Sequence, residues 1–146
     1  DPNREDSTMA NYLPFGPWDN PMLNDGLYSA TLERIRKITR HQTGDAKFEM
    51  HFRVEESHLV LCTRLYLPKK FSPYCQHRLW YFCQSIGLEP YDLDESPDAA
   101  VGRKLMLEVN TVKPAIATKG TPYSDVRRFL PAGFQELADE NEMEVV

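Results

Sequence analysis

The chain has 146 residues, of which 41% are hydrophobic, 27% charged and 11% aromatic, and its formal net charge is −5. These values are typical of one globular domain with its own core, and they exclude collagen-like, coiled-coil and wholly disordered proteins. No stretch approaches the roughly 18 apolar residues of a transmembrane helix, and the first residues lack the apolar segment of a secretory signal peptide.

Charge and cysteine usage narrow the class further. Residues 26–131 hold 16 Lys/Arg against 12 Asp/Glu, whereas residues 1–25 and 132–146 are both acidic. A basic centre between acidic ends is typical of an anion-binding domain, although acidic termini are also common in ordinary proteins. The three cysteines form no Cys-x-x-Cys pair, which disfavours a disulfide framework or zinc ribbon and predicts a cytoplasmic protein.

Residues 1–25 form an acidic and aromatic arm that we expect to be irregular. Prolines and glycines interrupt residues 10–25, and no apolar period is present there. Tyr12, Phe15 and Trp18 are too many aromatic side chains for a fully solvated tail, so we expect the arm to pack on the domain or on a partner.

The next segment, from Gly26, predicts a long first strand. Ala30 and Leu32 share one face while Ile35 falls on the other, and a β-bulge near Glu33–Arg34 would restore a single core face.

After a turn around Gly44, two strands with period-two patterns follow. The predicted core set is Phe48, Met50, Phe52, Val54, Leu59, Leu61, Leu65 and Leu67, and the outward set is Lys47, Glu49, His51, Arg53, Val60, Cys62, Arg64 and Tyr66. Residues 55–58 are the predicted turn between them.

The second half begins with a predicted helix. Ser72 is a suitable N-cap, Pro73 suits the first helical position, and Gly87 suits the position after the last turn. An apolar stripe of Leu79, Phe82, Cys83 and Ile86 supports the helix. A polar connection over 92–102 leads to a fourth strand with Leu105, Leu107 and Val109 inward, a loop over 113–122 and a last strand from Tyr123.

The predicted order is therefore β-β-β-α-β-β within residues 26–131, followed by an acidic tail over 132–146. This order predicts an OB-fold, a five-stranded Greek-key barrel whose helix, between strands 3 and 4, plugs one end.

The outward face of the first three strands is the candidate nucleic-acid interface. Binding of single strands needs cations along the phosphates and flat side chains on which bases stack. The candidate residues are Arg34, Arg36, Lys37, Lys47, His51, Arg53, Arg64, Tyr66, Lys113, Lys119, Tyr123 and Arg127. This interpretation requires a face that is exposed and not dominated by carboxylates; the alternative is an ordinary solvated face.

Other chemistry has little support in the sequence. No zinc spacing, phosphate-binding glycine loop, catalytic triad or nuclease carboxylate cluster is found, so we expect neither an enzyme nor a cofactor. Trp80 and Tyr81 on the helix are expected to pack against the barrel or the arm. A second hypothesis is an OB-fold interaction module whose arm docks on a nuclease, helicase or host factor.

Six segments resemble, in order and spacing, a phage and prophage family of small, uncharacterised OB-fold proteins similar to single-stranded DNA-binding proteins. They are GLYSATLERI, FEMHFRV, LYL, LWYFCQSIGL, VGRKLMLEV and YSDVRRFLP. The resemblance implies binding of single strands during replication or recombination. Our first hypothesis is therefore a non-catalytic OB-fold that binds single-stranded DNA by charge and stacking, with little sequence preference, in a bacterial cell or phage-infected host. RNA binding, a homo-oligomer, and a protein partner on the arm or acidic tail stay open; no membrane partner is expected.

Overall fold

The computed structural model describes residues 16–40, 42, 44–67, 73–113 and 120–135. The strands are β1 (Gly26–Thr39), β2 (Ala46–Val54), β3 (Val60–Tyr66), β4 (Lys104–Val112) and β5 (Tyr123–Pro131). The helices are α1 (Pro73–Ile86) and α2 (Pro90–Glu95), with 3₁₀ turns at Pro17–Asp19 and Pro97–Ala100. The fold is thus mainly β, with the predicted helix between strands 3 and 4.

The five strands form one antiparallel sheet in the order β3-β2-β1-β4-β5. The long β1 pairs with β2 through one part of its length and with β4 through another, so it serves both halves of the sheet. A long strand shared by the two halves of a sheet is consistent with a barrel-like fold. Among the described residues, no strand pairing joins the edge strands β3 and β5, and the sheet is not closed.

A β-bulge in β1 confirms the prediction made from its apolar pattern. The register against β2 shifts between Leu32 and Arg34, and Ala30, Leu32 and Ile35 are all buried. One extra residue moves Ile35 back to the core face, because side chains otherwise alternate strictly between the two faces of a strand.

Helix α1 closes one end of the core through aromatic contacts. The Phe82 ring lies 6.4 Å from Phe52 and 5.2 Å from Phe129, centroid to centroid, in edge-to-face geometry. The predicted stripe is confirmed, since Phe82, Cys83 and Ile86 are buried and Leu79 packs against the core. Gly87 ends the helix with a positive φ of 72°, as its position predicted; Ser72 lies outside the described residues.

The predicted burial pattern of β3 is wrong at two residues, Leu59 and Cys62. Leu59 is exposed at the turn before β3, whereas Cys62, expected to face outward, is completely buried. Thr63 is also buried, on the core side opposite Met50. Cys62 is buried because the arm, described next, lies against the edge of β3.

Asn20 of the arm bridges the two edge strands. Its side-chain Nδ2 donates hydrogen bonds to the carbonyl oxygens of Cys62 in β3 and Ser124 in β5, at 2.9 and 2.8 Å. The backbone N–H of Cys62 donates in return to Asn20 Oδ1 at 2.7 Å. A buried side-chain amide therefore takes the place of the strand ladder that would otherwise join β3 to β5.

Two further contacts hold the arm against the second half of the sheet. The Leu23 N–H donates to the Ser124 hydroxyl at 2.8 Å. Asp25 accepts from both the N–H and the hydroxyl of Thr111, at 2.8 and 2.9 Å. Residues 16–25 thus pack on the domain itself, whereas Tyr12 and Phe15 lie outside the described residues.

Neither described helix has the length and apolar character needed to cross a membrane.

Candidate nucleic-acid interface

Cross-strand neighbours bring acidic side chains into the predicted basic face. The register places Arg36, Glu49 and Arg64 in one row across β1, β2 and β3. Glu49 lies 3.2 Å from Arg36 Nη2 and 3.4 Å from Arg64 Nε, measured from its carboxylate oxygens. One carboxylate therefore offsets the charge of two predicted phosphate ligands.

Arg53 is engaged in the same way at the other end of β2. Its guanidinium makes a two-pronged ion pair with Glu33, with N–O distances of 2.5 and 3.0 Å. A third nitrogen donates to the carbonyl oxygen of His58 at 2.7 Å. A phosphate would have to displace these contacts, so Arg53 is a poor phosphate ligand.

The prediction that His51 is a stacking platform is wrong. The residue is only 2% exposed, and its cross-strand partner Cys62 is buried as well. Burial lowers the pKa of His51 to about 4, although the nearby Glu49 carboxylate acts in the opposite direction. His51 is therefore neutral at pH 7. Because its ring is buried, it cannot stack on a base.

The prediction for Lys37 is also wrong. The bulge in β1 places Lys37 opposite Phe48, on the core side of the strand, and its ammonium pairs with Asp94 of α2 at 2.5 Å. It points away from the face that carries Arg36. Because the bulge places Ile35 on the core side, Lys37, two residues further on, lies on that side too, whereas Arg34 and Arg36 lie on the outward side.

The remaining predicted residues are spread around the sheet. Arg34 lies on the outward face opposite His51 in the register with β2. Lys113 is exposed just after β4, and Lys119 lies outside the described residues. Lys47 Nζ lies 5.8 Å from the ring centroid of Tyr66, so these two predicted residues are neighbours.

A cleft of about 550 Å³ lies where β3, β5 and the start of α1 meet. Among the described residues its lining includes three arginines and four aromatic side chains, which are Arg64, Arg78, Arg127, Trp18, Tyr66, Tyr74 and Tyr123. We call this site the β3–β5 cleft. It brings together four of the predicted residues, Arg64, Tyr66, Tyr123 and Arg127.

Two tyrosines of the cleft present their rings to solvent. Tyr66 at the end of β3 is 54% exposed, and Tyr74 in the first turn of α1 is 71% exposed. Trp18 of the arm is also exposed, and the Arg64 guanidinium lies 4.4 Å from its ring centroid. The lining therefore offers flat surfaces and a cation in the same place, as stacking of bases requires.

The other two arginines of the cleft have few acidic partners. Arg78 donates to the Arg127 carbonyl at 2.8 Å, and its guanidinium lies 5.0 Å from the Phe129 ring centroid. The Arg127 side chain is exposed, and its Nε lies 3.9 Å from Glu108. Glu108 makes shorter hydrogen bonds to Arg128, at 2.7 and 3.1 Å, which lower the pKa of the Glu108 carboxyl.

Asp125 is the carboxylate of the cleft. Its Oδ1 accepts hydrogen bonds from the Thr63 hydroxyl at 3.1 Å and from the Val126 N–H at 2.7 Å. Burial raises the pKa of Asp125. The contact with Thr63 ties β5 to β3 within the cleft.

Sequence reasoning missed Tyr74, Arg78 and Asp125. A signal for the first two is present, because Tyr74 and Arg78 are four residues apart and therefore share a helix face. That face lies outside the apolar stripe of α1. Asp125 has no comparable signal, since its position in the cleft depends on the distant β3.

Trp80 and Tyr81, expected to pack on the barrel or the arm, are only partly covered, and Tyr81 lies beside Phe129 and Leu130 of β5. Both side chains are about half exposed on α1. Their rings contact each other edge to face, with centroids 5.0 Å apart. They form an exposed aromatic pair outside the lining of the β3–β5 cleft.

Neither a search for metal-binding side chains nor a comparison with known proteins assigns a function to the chain. Within the part of the chain that the structure describes, no group of three or more His, Cys, Asp or Glu side chains could hold a metal ion. No family model matches the chain, and no curated protein matches it in a sequence comparison.

Proposed function

We propose that the chain is an OB-fold domain that binds single-stranded DNA, with the β3–β5 cleft as the centre of its binding surface. The observation that carries this proposal is the joint lining of one cleft by three arginines and four aromatic side chains. The strand order and the helix between β3 and β4 support the OB-fold assignment.

The chemistry of the cleft favours unpaired bases. The exposed rings of Tyr66 and Tyr74 can stack only on bases whose faces are free, and in a duplex those faces are covered by neighbouring base pairs. The exposed Arg127 supplies a cation at the rim for the backbone phosphates. Binding requires no cofactor and no covalent step.

The direct test is a fluorescence-anisotropy titration of the full chain. Labelled oligo-dT, the matching duplex and an RNA of the same length are compared at two salt concentrations. We expect the single strands to bind more tightly than the duplex, with an affinity that falls steeply as salt increases, because phosphate binding releases counterions. Equal affinity for duplex and single strand, or no binding, would contradict the proposal.

Substitution of the exposed rings tests the location. The double variant Tyr66→Ala/Tyr74→Ala should weaken binding of oligo-dT by about 100-fold, because each stacked base contributes on the order of 1–3 kcal/mol. The matched control is Tyr91→Ala on α2, since Tyr91 is equally exposed, at 71%, but lies outside the cleft. An equal effect of the control, or no effect of the double variant, would reject the cleft.

The proposed setting is DNA replication or recombination of a phage or mobile element in the bacterial cytoplasm. It follows from the family resemblance described above, and binding assays alone leave it a proposal. Measurement of strand exchange or polymerase activity on a protein-coated template would test it separately.

One observation supports a second candidate, a protein-interaction module. The aromatic pair Trp80–Tyr81 is exposed on α1, outside the cleft, and such rings are enriched where proteins bind one another. If this surface docks a partner of the replication machinery, Trp80→Ala should abolish pull-down of that partner without changing DNA affinity. Loss of DNA affinity instead would place Trp80 in the nucleic-acid interface.

A further inference from the structure

The Asp125 carboxylate ties β5 to β3 through Thr63, and it also lines the cleft that is proposed to hold phosphates. A carboxylate repels phosphate, so a surface that only tracks the backbone has no use for an acid among its arginines. Asp125 nevertheless lines the same cleft as Arg64, Arg78 and Arg127. The group that suits this position is a hydrogen-bond donor without negative charge.

The two oxygens of Asp125 differ in their surroundings. The Thr63 hydroxyl and the Val126 N–H both donate to Oδ1. Among the described residues no hydrogen bond or ion pair reaches Oδ2. The two contacts on Oδ1 fix the orientation of the carboxyl group, so Oδ2 is a preorganised acceptor.

We propose that Asp125 reads a base with an exocyclic amino group, cytosine above all, at one position in the β3–β5 cleft. This rests on the proposed function and adds a base preference to it. The cytosine N4 amino group would donate to Oδ2 while Tyr66 or Tyr74 supports the ring, and contact between cytosine N4 and an acidic side chain is a common mode of base readout. Uracil and thymine carry an oxygen at this position, which a carboxylate repels.

The half-buried position strengthens this discrimination. A carboxylate that has lost part of its water is stabilised by a new donor more than a fully hydrated one is. Burial raises the pKa of Asp125, whereas the hydrogen bonds from Val126 and Thr63 and the charges of Arg78 and Arg64 act in the opposite direction. The same position opposite an oxygen is unfavourable, because a half-buried carboxylate is less well shielded by water than an exposed one.

The test compares dC and dU homopolymers of equal length by fluorescence anisotropy. Deoxyuridine avoids the thymine methyl group, so the two pyrimidines differ mainly at the amino or oxo group of position 4. We expect the wild-type chain to bind the dC strand about fivefold to tenfold more tightly than the dU strand. Equal binding would overturn the base preference while leaving the proposed function intact, and binding of neither strand would overturn both.

The variant Asp125→Asn tests the residue itself. Its amide oxygen can keep both contacts of Oδ1, which places the amide NH₂ where Oδ2 was and turns an acceptor into a donor. The preference should therefore reverse toward dU, whereas a merely structural role would lower both affinities together. A dC:dU ratio equal to that of the wild type would exclude Asp125 as the reader; thermal unfolding of the variant checks that it folds.

Discussion

The outward face of β1–β3 and the β3–β5 cleft both contain arginines and rings, yet they differ in what the arginines contact. On the face, Glu49 lies between Arg36 and Arg64, and Glu33 takes both prongs of Arg53. In the cleft, Arg78 contacts a ring and a carbonyl oxygen, and the Nε of Arg127 lies 3.9 Å from the Glu108 carboxylate. Arg64 belongs to both regions and is paired with Glu49. The two regions therefore differ through Arg78 and Arg127, for which the described residues provide no comparably close carboxylate.

The difference follows from regular and irregular backbone. In an antiparallel ladder, residues directly opposite each other have adjacent side chains, so acids and bases on one face pair across the strands. The cleft lies where the ladder stops, between two edge strands that the arm bridges. Its side chains come from β3, β4, β5, α1 and the arm. Arg64 lies opposite Glu49 in the register of β2 and β3, whereas Arg78 is on a helix and Arg127 is at the register shift of β5.

The largest expected effect concerns the Asn20 bridge, which joins the two edge strands that line the cleft. Asn20→Ala removes three hydrogen bonds to the backbone of Cys62 and Ser124. Because these backbone groups are buried, we expect a loss of about 3 kcal/mol in the free energy of unfolding, roughly 1 kcal/mol for each group left without a partner. Urea denaturation measures it.

Asn24→Ala is the matched control for this change. Asn24 belongs to the same arm, but its side chain is exposed, so its loss should change the unfolding free energy by less than about 0.5 kcal/mol. If the two variants are equally stable, Asn20 does not join the edge strands in solution. The cleft would then lack this link between the two edge strands that line it.

The five strands and α1 could be predicted from the sequence because their signals are local, whereas α2 extends into a stretch predicted as a polar connection. The bulge in β1 follows from Leu32 and Ile35, and the helix end follows from Gly87. Periodicity and single turn residues carry this information within a few positions. The remaining features of the fold depend on contacts between residues that are far apart in the sequence.

The candidate site was only partly predictable for that reason. The alternating pattern of β2 correctly predicts that His51 lies on the outward face. Its burial depends on neighbours on other strands, so it could not be predicted from β2 alone. Asn20 lies 42 residues from Cys62 and 104 from Ser124. No local pattern reveals a side chain that replaces a strand ladder across such separations.

A smaller effect is expected from pH, and it tests the burial of the face. Burial lowers the pKa of His51 to about 4 in the folded chain, whereas the pKa of an unburied histidine is 6.5. Between these values the unfolded chain binds a proton that the folded chain does not, so acidification destabilises the fold. We expect the free energy of unfolding to fall by about 2 kcal/mol from roughly pH 7.5 to pH 5 through this group.

His51→Gln should remove this part of the pH dependence. The same substitution at the exposed His77 of α1 should leave it in place. Urea denaturation at the two pH values measures both variants. An unchanged pH dependence in His51→Gln would mean that His51 is hydrated in solution, and the face would then be more open than its burial indicates.

The smallest effect compares one arginine from each region. If DNA lies in the cleft, Arg127→Ala removes a phosphate contact, so affinity for oligo-dT should fall about fivefold and the salt slope should decrease by roughly one. Arg53→Ala should leave both nearly unchanged, because Arg53 already pairs with Glu33 and contacts the His58 carbonyl. Anisotropy titrations over a salt series give both slopes. If Arg53→Ala lowers the affinity more than Arg127→Ala does, DNA binds on the outward face, because only DNA lying there could displace Glu33 from Arg53.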